Sequence, residues 1–354
     1  MKILLYSDLH ISRTSSIMPV NINNDIYSYR QKMIIDLGKY LAELADMKKV
    51  DLIINLGDTF DQHTVTSYDI EAASEFFKNF RLLNIPHLVI VGNHEMLNND
   101  FNAIALVNNI NNITVIDKPC TVDTNTILLD KPNVKLAFLP YCDYKDILIY
   151  PDGDFLFSHQ DIQGSVIRGN FELPEGINPQ DLKSKYKLVF NGHIHKSSIK
   201  GNIINVGSTT THSFSDDNED VPKCYIFDTD TLDLQIYKPN MCPLFRKFEI
   251  QNDISELNSF LNKLDINYKY ILHIVCPFEL KESVKDILTN TEKILNHRVS
   301  TKIIKQPDLY ESDKNEDINL QSNVDIKQSF IQFLDNIELK YPKEEYIKVL
   351  SEVK

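Results

Sequence analysis

Five short motifs bring oxygen and imidazole groups to the ends of apolar runs. Asp8-Leu9-His10 follows KILLYS, Gly57-Asp58-Thr59-Phe60-Asp61 follows LIINL, and Gly92-Asn93-His94-Glu95 follows LVIV. His159 follows DFLFS, and Gly192-His193-Ile194-His195 follows LVFN. Residues i and i+2 of an extended chain face one side, so Asp8 with His10, and His193 with His195, can converge on a point. An acid directly after a buried strand needs a partner or a metal. Glycine beside it lets the backbone turn, asparagine offers a neutral oxygen, and histidine moves a proton near neutral pH. Taken singly, DxH arises often by chance, GDTFD reads first as a turn carboxylate, and a lone histidine reads as a hydrogen-bonded structural residue. As an ordered set, Asp8, His10, Asp58, Asn93, His159, His193 and His195 are oxygen and nitrogen ligands without thiolate, which suits manganese, iron or zinc. They are too many for one ion with an open position. They suit two ions sharing a carboxylate, the arrangement that clamps the attacking and departing oxygens of a phosphoryl centre.

Such motifs need a frame that gathers strand ends. From Met1 to about Lys238, KILLYS, DLIINLG, HLVIVGN, ITVID, KLAFLP, DFLFSH and KLVFNG read as buried strands. Residues 27–48 and 68–83 carry apolar residues at three- and four-residue spacing and predict helices. This alternation predicts an α/β core with strands covered on both sides, and open α/β sheets hold ligands at carboxyl strand ends, where every motif lies. INVGSTT, KCYIFDTD and LDLQIYKP predict a meander closing that core, with TDTLD as a hairpin turn. After Pro239 the pattern restarts: LFRKFEI, a helix over 253–264, YKYILHIVC, a helix over 282–295 and RVSTKIIK predict a small β-α-β-α-β module. The expected organisation is therefore a core domain over 1–240, a small α+β domain over 241–306, an acidic linker over 307–324 and a helical segment over 325–354, broken at Tyr341-Pro342.

Composition narrows the partners. With 50 acids against 37 bases the net charge is −13, so a nucleic-acid role requires metal ions, a local basic patch or a basic partner. The five cysteines form no CxxC pair and read as buried free thiols. No apolar run approaches the roughly 20 residues of a membrane helix, and MKILLYSDLH lacks the build of a secretion signal. A cytoplasmic protein is expected, in a host cytoplasm if phage-encoded.

The order DxH, GDTFD, GNHE, H, GHIH over about residues 1–215 resembles the calcineurin-like metallophosphoesterase superfamily. GDTFD, VGNHE, Asp117-Lys118-Pro119, AFLPYC, GHIH and INVGST resemble its SbcD-like branch, the nuclease subunits of double-strand-break repair complexes, and especially the recombination nuclease subunits of T-even-like phages. That resemblance implies a four-layer αββα sandwich with a capping domain and a helical C-terminus. It implies that Asp8, His10 and His195 hold one manganese, that Asn93, His159 and His193 hold the other, and that Asp58 bridges both. Magnesium, iron or zinc would suit the same ligands. It implies His94 as general acid beside the scissile phosphate. Some relatives carry a histidine three residues after the bridging acid; Asp61 stands there in this chain, as an auxiliary residue behind the ligands. The short spacing from Pro140 to His159 implies trimmed DNA-facing insertions.

Gly207-Ser208 in INVGSTT reads either as a pair of backbone donors for a phosphate or as a plain turn. His63, His87, His212, His273 and His297 belong to no motif and read as structural or surface residues. The resulting expectation is a manganese-dependent DNA exonuclease and single-strand endonuclease subunit, with two metals and His94 serving phosphodiester hydrolysis. Its expected partners are DNA, a second copy of itself, and an SbcC-like coiled-coil ABC-type ATPase docked on the C-terminal helices. The alternatives are a metal-dependent phosphodiesterase or phosphatase on another substrate, and a scaffold of the same fold without the chemistry.

Overall fold

Short strands buried on both faces carry the architecture, because each side of a strand has its own apolar layer to fill. The computed structural model describes residues 1–13, 26–98, 101–107, 110, 112–128, 131, 133–143, 145, 150–168, 171–211, 213–214 and 221–301. The linker and helical segment expected beyond residue 306, and His212, lie outside the described residues.

Two six-stranded sheets form the core. In spatial order the first runs Leu234–Tyr237, Cys224–Asp228, Lys2–Tyr6, Leu52–Asn55, His87–Ile90, Ile113–Ile116. The second runs Ser198–Lys200, Ile203–Asn205, Leu188–Asn191, Phe155–Ser158, Lys135–Leu139, Cys120–Asp123. Four neighbouring strands in each are parallel, Lys2–Tyr6 through Ile113–Ile116 in the first and Ile203–Asn205 through Lys135–Leu139 in the second. Their carboxyl ends therefore share one rim of each sheet.

Alternation along the strands builds the layers. Ile3, Leu5, Ile54 and Leu88 of the first sheet meet Phe138, Phe155, Phe157 and Phe190 of the second in one buried cluster. The opposite faces of the same strands, at Leu4, Tyr6, Ile53 and Val89, pack on helices α1 (Tyr29–Lys48) and α2 (Ser67–Lys78). Leu139, Leu156 and Val189 cover Leu182 and Tyr186 at α3 (Pro179–Lys185). The order is helix, sheet, sheet, helix, the four-layer sandwich expected from the resemblance.

Capping boxes at Ser28/Gln31 and Thr66/Asp69 start α1 and α2. The predicted run to Leu83 stops at Lys78, because the Asn79 side-chain amide donates to the Glu75 and Phe76 carbonyls at 3.0 and 3.1 Å and closes the last turn. Arg81–Leu83 forms a separate short turn. The predicted meander divides between the sheets. Ile203–Asn205 pairs with Leu188–Asn191 in the second, whereas Cys224–Asp228 and Leu234–Tyr237 form a hairpin on the first. The polar ladder explains the first placement: the Asn191 side-chain amide donates to Asn205 Oδ1 at 3.1 Å.

Leu244–Glu249, Tyr270–Cys276 and Ile294–Thr301 make a three-stranded parallel sheet with α4 (Ile254–Asn262) and α5 (Lys281–Thr289). Leu244, Leu257, Leu272, Ile274, Val284 and Leu288 form its own cluster. The helix predicted over 282–295 ends at Thr289, since Ile294 is taken by pairing with Tyr270. Among the described residues no helix is long and apolar enough to cross a membrane.

One core histidine makes stability pH-dependent. His87 is buried, its Nε2 lies 2.8 Å from the Tyr6 hydroxyl, and the rings of Phe77 and Phe80 meet it edge-on. Burial pushes the imidazole down to about 3. An unfolded histidine titrates near about 6.5, so between these values the unfolded chain binds the extra proton and stability falls as the pH falls. The limiting slope is about 1.4 kcal/mol per pH unit. Tyr6→Phe with His87→Leu removes both polar groups and should flatten the slope by close to one proton between pH 6 and 4, read from urea midpoints in chelator. An unchanged slope would mean that His87 is not the proton acceptor held back by folding.

Candidate metal centre

The five motifs occupy loops directly after parallel strands: three after Lys2–Tyr6, Leu52–Asn55 and His87–Ile90, two after Phe155–Ser158 and Leu188–Asn191. Backbone bonds stitch the first two loops together, Asp8 N–H to Gly57 O at 3.0 Å, His10 N–H to Asp58 O at 3.0 Å and Ile11 N–H to Thr59 O at 2.7 Å. Asp8 and His10 converge, but not through the alternation of an extended strand. Both are left-handed, at φ +55° and +47°, as are Asp58 at +50° and His193 at +67°. Each such residue costs on the order of 1–3 kcal/mol and persists only where its surroundings hold it.

Those surroundings are specific. The buried Arg30 guanidinium, on α1, donates to Leu9 O at 2.8 Å, to His10 O at 3.0 and 3.1 Å, and to Thr211 O at 3.1 Å. The Thr210 hydroxyl donates to the Asp8 and Leu9 carbonyls at 3.1 Å each. Glu95 clamps two loops: Oε2 accepts from Gly92 N–H at 2.7 Å, and Oε1 accepts from Thr59 N–H and from Phe60 N–H, the latter at 3.0 Å. The loops approach so closely that a Cβ on Gly92 would stand 2.1 Å from Asp58 Oδ1. One on Gly57, already at φ +106°, would stand 2.3 Å from His159 Nδ1.

Side chains then gather into overlapping groups. Asp8, His10 and His195 each offer a ligand atom within 4.8 Å of the others, and so do Asp58, His159 and His193. His10 Nε2 lies 3.1 Å from His195 Nε2, 3.9 Å from Asp8 Oδ1 and 3.8 Å from Asp58 Oδ2. The same Asp58 Oδ2 lies 3.2 Å from His159 Nε2. Asn93 Oδ1 lies 3.1 Å from His159 Nε2 and 2.9 Å from His193 Nδ1. Asp58 thus stands between the groups, touching an imidazole of each. A third group joins His10, Asp58 and His94. His94 is anchored through its backbone N–H to Asp58 Oδ1 at 3.0 Å and through Nδ1, which donates to Asp61 O at 2.7 Å. Asp61 Oδ1 stands 3.4 Å from His10 Nδ1, behind the first group.

Electrostatics point to a cation. Both Asp8 oxygens are buried and find no hydrogen-bond donor among the described residues. Burial pushes that carboxyl up. At Asp58 burial pushes upward too, but the imidazoles of His159 and His94 outweigh it and hold the carboxyl at about 2. At His159 burial pushes down, and Asp58 and Asp8 lift the imidazole to about 9. The acids demand positive charge, which a divalent cation held among these ligands would supply. The donor set fits two such ions: carboxylate, amide oxygen and imidazole, with each inner histidine nitrogen facing its group.

The remaining candidates are placed as follows. Ser208 lies beneath Asp8, its amide donating to His195 O at 3.0 Å and its hydroxyl to Asp8 O at 2.9 Å. Gly207, at φ +76°, is the turn preceding it. His63 joins Asp61, Gln62, Asn93 and His94 around an open cleft of about 520 Å³. His273 and His297 belong to the small three-stranded sheet. Sequence reasoning missed Arg30, the clamp role of Glu95, and Asp161, whose Oδ1 lies 3.0 Å from His193 Nε2 and whose carboxyl that contact holds below its usual range. It also missed Tyr141, whose ring centroid is 5.7 Å from that of His193. The spacing of Asp161 two residues after His159 was the available signal.

Comparison with known proteins gives the family. Residues 1–197 match the calcineurin-like phosphoesterase family. The chain is 26% identical over 318 residues to exonuclease subunit 1 of Enterobacteria phage T4, covering 86% of this chain and 87% of that one. Over 89 residues, 25% of this chain and 22% of the relative, it is 35% identical to DNA double-strand break repair protein Mre11 of Saccharolobus solfataricus. Among solved structures, TT1561 of Thermus thermophilus aligns at a TM-score of 0.39 and 12% identity, over 67% of this chain and 98% of that one. The family match covers more than half of the chain and ends just past the last of the five motifs, so this chain belongs to the calcineurin-like phosphoesterases.

Proposed function

We propose that the chain is a manganese-dependent DNA nuclease, the hydrolytic subunit of an SbcCD-like recombination and repair complex. The observation that carries the reading is Asp58 standing between two ligand groups, with one oxygen 3.8 Å from His10 and 3.2 Å from His159. Asp8, His10 and His195 would hold one ion, Asn93, His159 and His193 the other, and Asp58 both. When bound, the two cations supply Lewis acidity to the phosphoryl centre and to the water that attacks it.

The chain's own residues do the rest. Asp61 O accepts from His94 Nδ1–H and fixes the ring, leaving Nε2 to carry the proton for the departing oxygen. Arg30 and Glu95 keep the strained loops in register, so the ligands are set before substrate arrives. DNA as substrate is supported by the likeness to exonuclease subunit 1 over 86% of the chain. A net charge of −13 then leaves phosphate neutralisation to the cations and to a partner.

The test compares manganese-dependent cleavage of end-labelled linear and single-stranded DNA with hydrolysis of bis(p-nitrophenyl) phosphate. Cleavage of both is expected. Hydrolysis of the small diester without any cleavage of DNA would favour a phosphodiesterase on another substrate, and no hydrolysis of either a scaffold.

In this reading 241–306 caps the nuclease domain, 307–324 links, and 325–354 docks the partner. Ile326, Phe330, Phe333, Leu334 and Ile337 fall on one face of a predicted helix, with Tyr346, Val349 and Leu350 giving a second stripe beyond Pro342. Helices shorter than roughly 12–15 residues are marginal alone in water, so these need a surface such as the base of a coiled-coil ATPase. Truncation after Asn319 should leave manganese-dependent cleavage intact and abolish co-purification with the ATPase. A truncated chain that still binds the partner, or that no longer folds, would assign the segment to the core instead.

A further inference from the structure

We propose that Asp161 is a positioning residue for the second cation, acting through His193; this rests on the two-cation reading of the site. A carboxylate only accepts, so the 3.0 Å contact from His193 Nε2 to Asp161 Oδ1 places the ring proton on Nε2. Nδ1 is then a bare lone pair, 2.9 Å from Asn93 Oδ1. His159 is set the same way. Its Nδ1 donates to Leu56 O at 2.7 Å, and its Nε2 lies 3.1 Å from the same Asn93 oxygen. With both rings neutral, two nitrogen lone pairs and the amide oxygen face one another there, an arrangement that a cation satisfies.

The two imidazoles differ in what holds them. His159 has a side chain at 0% exposure, a backbone carbonyl as anchor, and Gly57 and Gly192 so near that an added Cβ would stand 2.3 or 3.0 Å from its Nδ1. His193 is 20% exposed, stands on left-handed backbone, and is anchored by a carboxylate that is itself 36% exposed. The main chain beneath that carboxylate is tethered, since Asp161 O accepts from Ile177 N–H at 2.9 Å. His193 is therefore anchored at its outer nitrogen by a side chain, whereas His159 is anchored there by the main chain. A carboxylate behind a ligating histidine also makes the ring a stronger donor, and its loss weakens metal binding by about 10–100-fold.

The experiment is calorimetric titration of manganese chloride into the chelator-stripped full chain, with the manganese paramagnetic resonance spectrum recorded at saturation. The unaltered chain should bind two ions and give an exchange-coupled spectrum. Asp161→Ala should bind one ion unchanged and the other about 10–100-fold more weakly. At a manganese level that saturates the unaltered chain, the coupled signal should be lost. Asp161→Asn, which keeps an oxygen for Nε2–H without the charge, should recover part of that affinity. Because Asp161 is partly exposed, the metal-free melting temperature should stay put in both variants. Two ions bound by Asp161→Ala at unaltered affinity would overturn the proposal, as would equal weakening of both ions together with a lowered metal-free melting temperature. An unaltered chain that binds fewer than two ions would overturn the two-cation reading itself, and the proposal with it.

Discussion

Asp58→Asn should abolish manganese-dependent hydrolysis and weaken binding of both ions. Asparagine tolerates the left-handed backbone at φ +50°, so the substitution leaves the loop its shape. Its amide oxygen can still accept from His94 N–H, the bond now made by Oδ1. What changes is the other position, where a neutral amide NH2 replaces the oxygen that faces His10 and His159. In the proposed two-cation site each other ligand would serve one ion and Asp58 both, so its loss should exceed that of any other single ligand. Loss of several kcal/mol of charge stabilisation corresponds to about 10³-fold or more in rate. Calorimetry and turnover on one preparation test it. Two ions bound and full turnover in the variant would end the shared-carboxylate model.

His94→Ala should separate binding from chemistry. The residue lies within reach of His10 and Asp58, close enough to be mistaken for a ligand. Its ring is held from the other side, by the Asp61 carbonyl, as a proton carrier would be. The variant should therefore keep two ions and lose about 10²–10⁴-fold in turnover on DNA, the usual contribution of a general acid. A p-nitrophenolate leaving group needs no proton, so the loss should shrink on bis(p-nitrophenyl) phosphate. Equal loss on both substrates, or one ion missing, would reassign His94 to the ligand set.

The candidate ligand types could be read from the chain because chemistry restricts them. An acid, amide or imidazole directly after a fully apolar run cannot remain unpaired once the run is buried, and five such placements in order leave few readings. The helices over 29–48 and 67–78 were likewise legible, since their apolar spacing and capping boxes are local. The limits of the second predicted helix were less so. Asn79 bonds back to Glu75 and Phe76, a stop signal that apolar periodicity does not register.

Relations across space were another matter. Nothing near Arg30 in the chain announces its bonds, because one of its partners, the Thr211 carbonyl, is 181 residues away. The same holds for the division of the predicted meander between two sheets, a choice made by polar pairing between Asn191 and Asn205. By itself the sequence determined which residues could hold metal, which runs would be buried, and that strand ends would carry the site. Only the tertiary structure decided that Asp8, His10, Asp58 and His193 meet on left-handed backbone, with Arg30, Glu95 and Asp161 behind them. The physical reason is one of range. Burial and periodicity are written residue by residue, whereas a strained loop is held by groups that come together only after the sheets have formed.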